Sequence, residues 1–468
     1  MEEKNVEQSV ILSPEKRLPE VDDFIAMIEN KQYGALRSVA SDIPPVDIAE
    51  LFDKLPKNYH IPFYRLLPKS LAAEVFVEMD AEQKEHLINS FTDSELSATL
   101  EELYIDDTVD IIEEMPAAVV KRILRASNGD DRNAINRLLK YPKDTAGAIM
   151  TTEYVRFTRE MTVERALSHI RRVAIDKETI YTCYITDEKR HLIGIVTAKE
   201  LLIADLDTKL GDIMEDSVIF VNTTDDKEDV AVKFDKYGFL ALPVVDNECR
   251  LVGIVTVDDA IEVLRDEAEE DFAKMAAITP AETTYLKTSA FSIWKARIPW
   301  LLLLMISATL SSAILTKFES ALPAVLLLFV PMLMDTGGNC GSQASVTVIR
   351  AISVGEAKLS DFARIFWKEL RVGIACGITL SAVAFLKVIL VDKLLMQNEE
   401  VTISVALAVA LAVLLTIVTA KFIGSMLPLL AKRIGLDPAV MASPFITTLV
   451  DAVSLLLYFF ISARLLPM

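Results

Sequence analysis

Pro438-Ala-Val-Met-Ala-Ser-Pro-Phe-Ile-Thr-Thr-Leu-Val-Asp451-Ala-Val-Ser-Leu-Leu-Leu-Tyr-Phe-Phe-Ile-Ser-Ala463 runs for 26 residues and carries one charge, at its centre. As a helix it would rise about 39 Å, enough to cross a hydrocarbon core of about 30 Å. A carboxylate held midway costs roughly 2.5 to 3.5 kcal/mol on insertion scales unless it faces a pore or a partner. The stretch therefore reads as a membrane span, and Asp451 as a functional residue.

Four more segments upstream fit the same reading. Expected spans are 298–316, 321–349 (with Asp335 its one charge), 372–391, 401–430 and 438–463. Arg350, Lys358, Arg364, Lys368 and Arg371 lie between the second and third spans; Lys287, Lys295 and Arg297 precede the first, and Lys432 and Arg433 the fifth. The opposite flanks carry only Lys317, Lys393 and Arg464. By the positive-inside rule the part before about residue 290 is expected in the cytoplasm and the C-terminus across the membrane, a multi-pass arrangement in the cell (inner) membrane. The first 30 residues are acidic and polar, so no signal peptide is expected.

Charge divides the chain at the same place. Residues 1–290 hold 34 Lys and Arg against 58 Asp and Glu, the remainder 14 against 10, so the net charge of −20 belongs to the soluble part. Such a surface repels nucleic-acid phosphates and collects cations. Cys183, Cys249, Cys340 and Cys376 form no CxxC pair, and His60, His86, His169 and His191 all precede the spans. Disulfides are not expected, and a cation served by Asp451 would be a hard one bound through oxygen.

Two internal repeats organise the soluble part. Apolar residues recur every twelve positions at Leu55, Leu67, Met79, Phe91, Leu103 and Met115, with a second series at Phe52, Tyr64, Phe76, Ile88, Leu100 and Ile112. The offset of three is helical, and Pro56, Pro68, Asp80, Thr92 and Pro116 are expected to stop each short helix, giving a superhelix that presents an extended surface. Then Leu192-Ile-Gly-Ile-Val-Thr197 returns 59 residues later as Leu251-Val-Gly-Ile-Val-Thr256, with Ile149-Met150 and Ile213-Met214 opening the two copies. Two β-α-β-β-α units in tandem resemble a pair of CBS domains, a regulatory module whose cleft can accept an adenine nucleotide. The second copy runs into Asp258, Asp259, Glu262, Asp266, Glu267, Glu269, Glu270 and Asp271, broken by the single base Arg265. Such a helix repels itself, and divalent ions would relieve the repulsion.

This order of parts resembles the MgtE magnesium channel family over nearly the whole chain. Two motifs carry most of the likeness: Pro331-Met-Leu-Met-Asp-Thr-Gly-Gly-Asn-Cys-Gly-Ser-Gln343, similar to the family's GGNxGxQ, and Asp437-Pro-Ala leading to Thr447-Thr448 and Asp451, similar to DPA…P…TT…D. The implied architecture is a multidomain membrane protein: a flexible start (1–20), an all-α superhelical domain (21–138), tandem α/β CBS domains (139–205 and 206–264), an acidic connecting helix (265–292) and a five-helix transmembrane domain (293–468).

The resemblance also implies a homodimer in the lipid bilayer, no obligate protein partner, and a pore lined by the second and fifth spans. Mg2+ sheds its water reluctantly, so it would pass largely hydrated between carboxylates and neutral oxygens. Expected along the pathway are Asp451, Asn339, Gly338, Gly341, Gln343, Thr447, Thr448 and Ser443, with Asp437 at the inner mouth or serving as a helix N-cap. Gly373 and Gly377 read as packing residues. Acids implied to share regulatory Mg2+ are Glu74, Asp106, Asp226, Glu228, Asp259, Glu262, Glu267 and Glu270, with Asp235 a substitute where Gly238 replaces an acid; Ser443 stands where some relatives have Asn. Bridged by Mg2+ these acids would hold the assembly closed. Two alternatives stay open at this point: a transporter or exporter of another divalent cation (Co2+, Mn2+ or Ca2+), and a CBS-regulated membrane enzyme. The spans offer no nucleophile beside a base, which argues against the enzyme.

Overall fold

The structure is a computed structural model that describes residues 21–280, 285–319, 323–441 and 443–466. The segment 1–20, expected to be flexible, lies outside the described residues, as do Ala442 and the side chain of Ser443. Contacts divide the chain into two units, Met1–Ile261 and Glu262–Met468.

The first unit begins with ten short helices: α1 Val21–Glu29, α2 Tyr33–Ala40, α3 Pro45–Lys54, α4 Lys57–Leu66, α5 Lys69–Val77, α6 Ala81–Ser90, α7 Asp93–Leu100, α8 Ile105–Glu114, α9 Ala117–Ala126 and α10 Gly129–Leu138. From α3 onward every helix starts twelve residues after the last. All twelve members of the two apolar series are buried, because a twelve-residue repeat returns the same positions to the same face. Pro56, Pro68, Asp80, Thr92 and Pro116 sit at the N-caps of the following helices, so they begin units rather than end them. Asp80 and Thr92 accept hydrogen bonds from the backbone N–H of Gln83 and Glu95, satisfying orphan donors that proline cannot reach. From α2 to α8 each helix packs on the one two places further along, so the chain stacks in two alternating rows.

Next come the two mixed copies. The first comprises β1 Arg156–Thr158, α11 Val163–Val173, β2 Thr182–Thr186, β3 Leu192–Thr197 and α12 Ala198–Ile203; after α13 Leu210–Ile213, the second has β4 Val221–Asn222, α14 Lys227–Tyr237, β5 Ala241–Val245 and β6 Leu251–Thr256. Each sheet pairs its first strand parallel and its third antiparallel to the middle one. Both hairpins turn through a left-handed residue, Arg190 and Cys249, and the turns pair with each other through Leu192 N–H to Cys249 O and Leu251 N–H to Arg190 O. The repeated glycines have a cross-copy reason: a Cβ on Gly253 would lie 2.6 Å from Met150 Sδ, and one on Gly194 2.7 Å from Met214 Sδ. Each copy's opening methionine thus covers the other's central strand.

One helix, α15 Val257–Met275, contains both the last helix of the second copy and the acidic run, with no break at 264. The second unit then builds a bundle from α16 Ala290–Glu319, α17 Val330–Ser353, α18 Phe362–Lys387, α19 Ile403–Arg433 and α20 Ser443–Leu465. Helical segments long and apolar enough to cross a membrane are Ala290–Phe318, Ala324–Ser353, Leu359–Leu395, Ile403–Arg433 and Pro438–Leu465. They outrun the expected spans because apolar turns continue past charges at the ends. The fourth also carries Lys421 within it.

The core of the bundle is α19, packed on α17, α18 and α20. Closest approach falls at Gly424, where a Cβ would overlap the backbone carbonyl of Gly341 on α17. Backbone cannot swing aside as a long side chain can. Gly424→Ala should therefore force the two helices apart at a cost of at least about 1 to 3 kcal/mol, the usual range for overpacking. A thermal unfolding midpoint within 1 °C of the parent would refute this.

Candidate ion pathway and metal centre

Asp451 lies on α20 and faces α17 across a glycine. A Cβ on Gly338 would sit 3.1 Å from Thr447 Cγ2 and 3.6 Å from Asp451 Oδ1, so any side chain there would crowd the carboxylate. Asn339 and Asp335, one helical turn apart on α17, are both exposed on a single copy of the chain. Asp335 is also near enough for its charge to act on Asp451. Sequence reading had noted Asp335 only as an interruption of a span; its i, i+4 relation to Asn339 was the available signal. Thr447 and Thr448 donate their hydroxyls to Pro444 O at 2.8 and 3.1 Å, leaving oxygen lone pairs free to accept.

Not every expected pathway residue gathers here. Gly341 packs against Ile446 and Val450 and turns its carbonyl toward α19. Gln343 lines a different cavity, with Glu369 and Lys421. Gly373 and Gly377 lie against α19 at Val418, Lys421 and Leu414, as packing residues do. Asp437 both caps and pairs: its Oδ1 accepts from Ala439 N–H at 2.8 Å, and its Oδ2 from Lys274 Nζ at 2.6 Å. Lys274 also holds Glu270 at 2.5 Å, and although burial opposes its charge, these two carboxylates keep it protonated. Asp271 accepts from Ser353 Oγ at 2.8 Å. The end of α15 is thereby fixed to residues of α17 and of the segment before α20.

A second centre lies in the first unit. Carboxylate oxygens of Asp106 on α8, Glu153 before β1 and Glu178 before β2 all lie within 4.8 Å of one another. Asp106 Oδ1, Glu153 Oε2 and Glu178 Oε2 are shut off from solvent without a hydrogen-bond partner. Asp107 and Asp259 border the group, and Asp259 Oδ2 accepts from Thr256 Oγ1 at 2.6 Å. Burial first, and then neighbouring carboxylates, push Asp106 and Asp107 up to about 6, Glu153 to about 7 and Glu178 to about 8; burial, offset by the Thr256 bond, takes Asp259 to about 7. Oxygen-only donors, mutual repulsion and unpartnered buried atoms fit a hard divalent cation, and fit poorly with any neutral ligand.

Of the expected regulatory acids, Asp106 and Asp259 meet at this centre. Glu74 and Asp235 are exposed on α5 and α14; Asp226 caps α14 by accepting from Glu228 N–H at 2.9 Å; Glu262 lies 3.5 Å from Arg265. Glu267 also has a partner. Glu153 and Glu178 were missed, since they stand in irregular segments where no periodicity marks them.

Comparison with known proteins agrees with this division. Residues 43–144 match the MgtE intracellular N domain, 146–207 and 210–266 the CBS domain, and 330–461 a divalent cation transporter family, MgtE. The magnesium transporter MgtE of Thermus thermophilus is 38% identical over 94% of this chain and 98% of its own length; that of Bacillus subtilis is 30% identical over 93% and 95%. A crystal structure of the cytosolic domain of the Mg2+ channel MgtE in complex with ATP aligns with a TM-score of 0.50 and 37% identity, covering 52% of this chain and all of that one.

Proposed function

The chain belongs to the MgtE family of divalent cation transporters, and from that premise we propose that it carries Mg2+ into the cell along α17 and α20 and closes when cytosolic Mg2+ binds its acidic groups. Family membership makes it a multi-pass membrane transporter and not an enzyme.

The observation that carries the transport reading is the polar face formed by Asp335, Asn339 and Asp451 at the level of the membrane. Two of these are exposed on a single copy, and exposed polar groups are costly in hydrocarbon. A two-fold homodimer that brings this face against its twin would bury it around water and double each carboxylate. Hydrated Mg2+ would then pass between carboxylates, Asn339 and the threonine oxygens. Co2+, Mn2+ or Ca2+ are the second reading, since oxygen donors alone do not separate them.

Closure is assigned to the centre of Asp106, Glu153, Glu178 and Asp259. A divalent ion held there would discharge buried carboxylates and favour the compact cytoplasmic arrangement in proportion to its concentration. Lys274 with Asp437 and Glu270 would hold α15 at the inner mouth. For the CBS pair we propose an adenine nucleotide: Tyr181 and Phe220, immediately before β2 and β4, leave their rings exposed for stacking.

Ion flux into proteoliposomes under a negative-inside potential tests both halves. Mg2+ uptake should fall severalfold as internal Mg2+ rises from below one millimolar to about ten millimolar, the behaviour of a site that binds only the closed form. Absence of potential-driven flux would overturn the channel reading, and flux indifferent to internal Mg2+ would overturn the gate.

A further inference from the structure

Glu369 on α18 and Lys421 on α19 are the two buried charges among the described residues of the bundle, 9% and 6% exposed. Both line a cavity of about 600 Å³ with Gln343 and Thr347 of α17, its edges marked by the partly exposed Val346 and Val372. Among the described residues neither charge lies within 4.0 Å of an opposite one. Opposite charges in a low-dielectric site normally collapse onto each other, because their attraction is one of the few compensations for lost hydration. Here they share a cavity without touching, which is the donor set for a ligand that is itself dipolar.

Position narrows the ligand. Trp367, two residues before Glu369, is 60% exposed, and Arg364, Lys368 and Arg371 surround it on the same end of α18. Exposed tryptophan and clustered bases mark the headgroup level of a bilayer. Lys421 is anchored deeper, its Cβ 3.4 Å from where a Cβ on Gly373 would be, and a lysine in that setting extends its ammonium toward the interface. A hydrated divalent cation is excluded by Lys421, and a simple anion by Glu369.

We infer that this cavity binds the headgroup of a zwitterionic phospholipid of the phosphoethanolamine type, with its phosphate at Lys421, its ammonium at Glu369, and Gln343 and Thr347 serving the remaining oxygens. The bound lipid ties α17, α18 and α19 together at one level, beside the helix that carries the ion pathway.

The test is native mass spectrometry of the full chain extracted from membranes containing phosphatidylethanolamine and phosphatidylglycerol. The parent should retain phosphatidylethanolamine about tenfold over its membrane share, as one charge-assisted hydrogen bond provides. Glu369→Gln should erase that preference while still retaining lipid, and Lys421→Gln should reduce retention of both lipids about tenfold. Val346→Trp, which fills the edge of the cavity and spares both charges, should also reduce both, and covers the case in which a charge variant does not fold. Retention in membrane proportion by the parent, or unchanged retention in the variants, would overturn the site. Delipidated protein binding soluble phosphoethanolamine as tightly as vesicles of the lipid would overturn the lipid as its source.

Discussion

Asp451→Asn should lower Mg2+ flux about a hundredfold or more while leaving the folded bundle intact. An ion about 4 Å from a carboxylate gains about 4 kcal/mol at an effective dielectric of 20, and about 1.4 kcal/mol is a factor of ten. Asparagine keeps the size and the acceptor oxygen beside Gly338 and Thr447, so little packing is lost. The control is the thermal midpoint of the purified protein. Flux near the parent's in a folded variant would remove Asp451 from the pathway and leave its position in mid-span unexplained.

Glu153→Gln together with Glu178→Gln should stabilise the first unit without Mg2+ and abolish its response to the ion. All five acids of that centre titrate above the ordinary carboxylate range when folded, so the folded form holds more protons than the unfolded one. Stability without divalent ions must therefore fall as pH rises from about 4 to about 8, the window between unfolded and folded values. Mg2+ takes the place of those protons, so its protective effect should be small at pH 5 and large at pH 8. At a hundred times its dissociation constant a ligand of the folded form adds about 2.7 kcal/mol. Protease protection of the full chain at both pH values, with and without 10 mM Mg2+, reads this out. A parent equally protected by Mg2+ at pH 5 and pH 8, or a double variant that keeps the response, would refute the assignment.

How much of this was legible in the sequence depended on whether a feature repeats. The twelve-residue series placed every helix of the superhelix and all twelve of its marker residues in the core, because periodicity fixes a face. The 59-residue repeat located both sheets. Asp451 announced itself by contrast with its surroundings. Glu153 and Glu178 did not, since their partner Asp106 is 47 and 72 residues away and only the docking of a loop on a helix brings them together. Lys421 was hidden for a different reason: a charge near the end of an apolar run reads as its boundary, whereas α19 continues for three more turns to Arg433. Asp437 was read as a mouth residue or a cap and serves in contacts of both kinds, which the separate bonds of its two oxygens allow.

The two-row stacking of α2 to α10 gives the superhelix a phase. Its sequence advances by twelve residues, yet a helix returns to its own row only after twenty-four. Losing or gaining two helices would leave every later helix on its original side, with the surface merely shortened or lengthened. Losing one would exchange the rows, and α8, with Asp106, would present itself on the wrong side of the stack. Length can drift in such a protein in even steps, while parity is held by the one helix that must deliver a carboxylate.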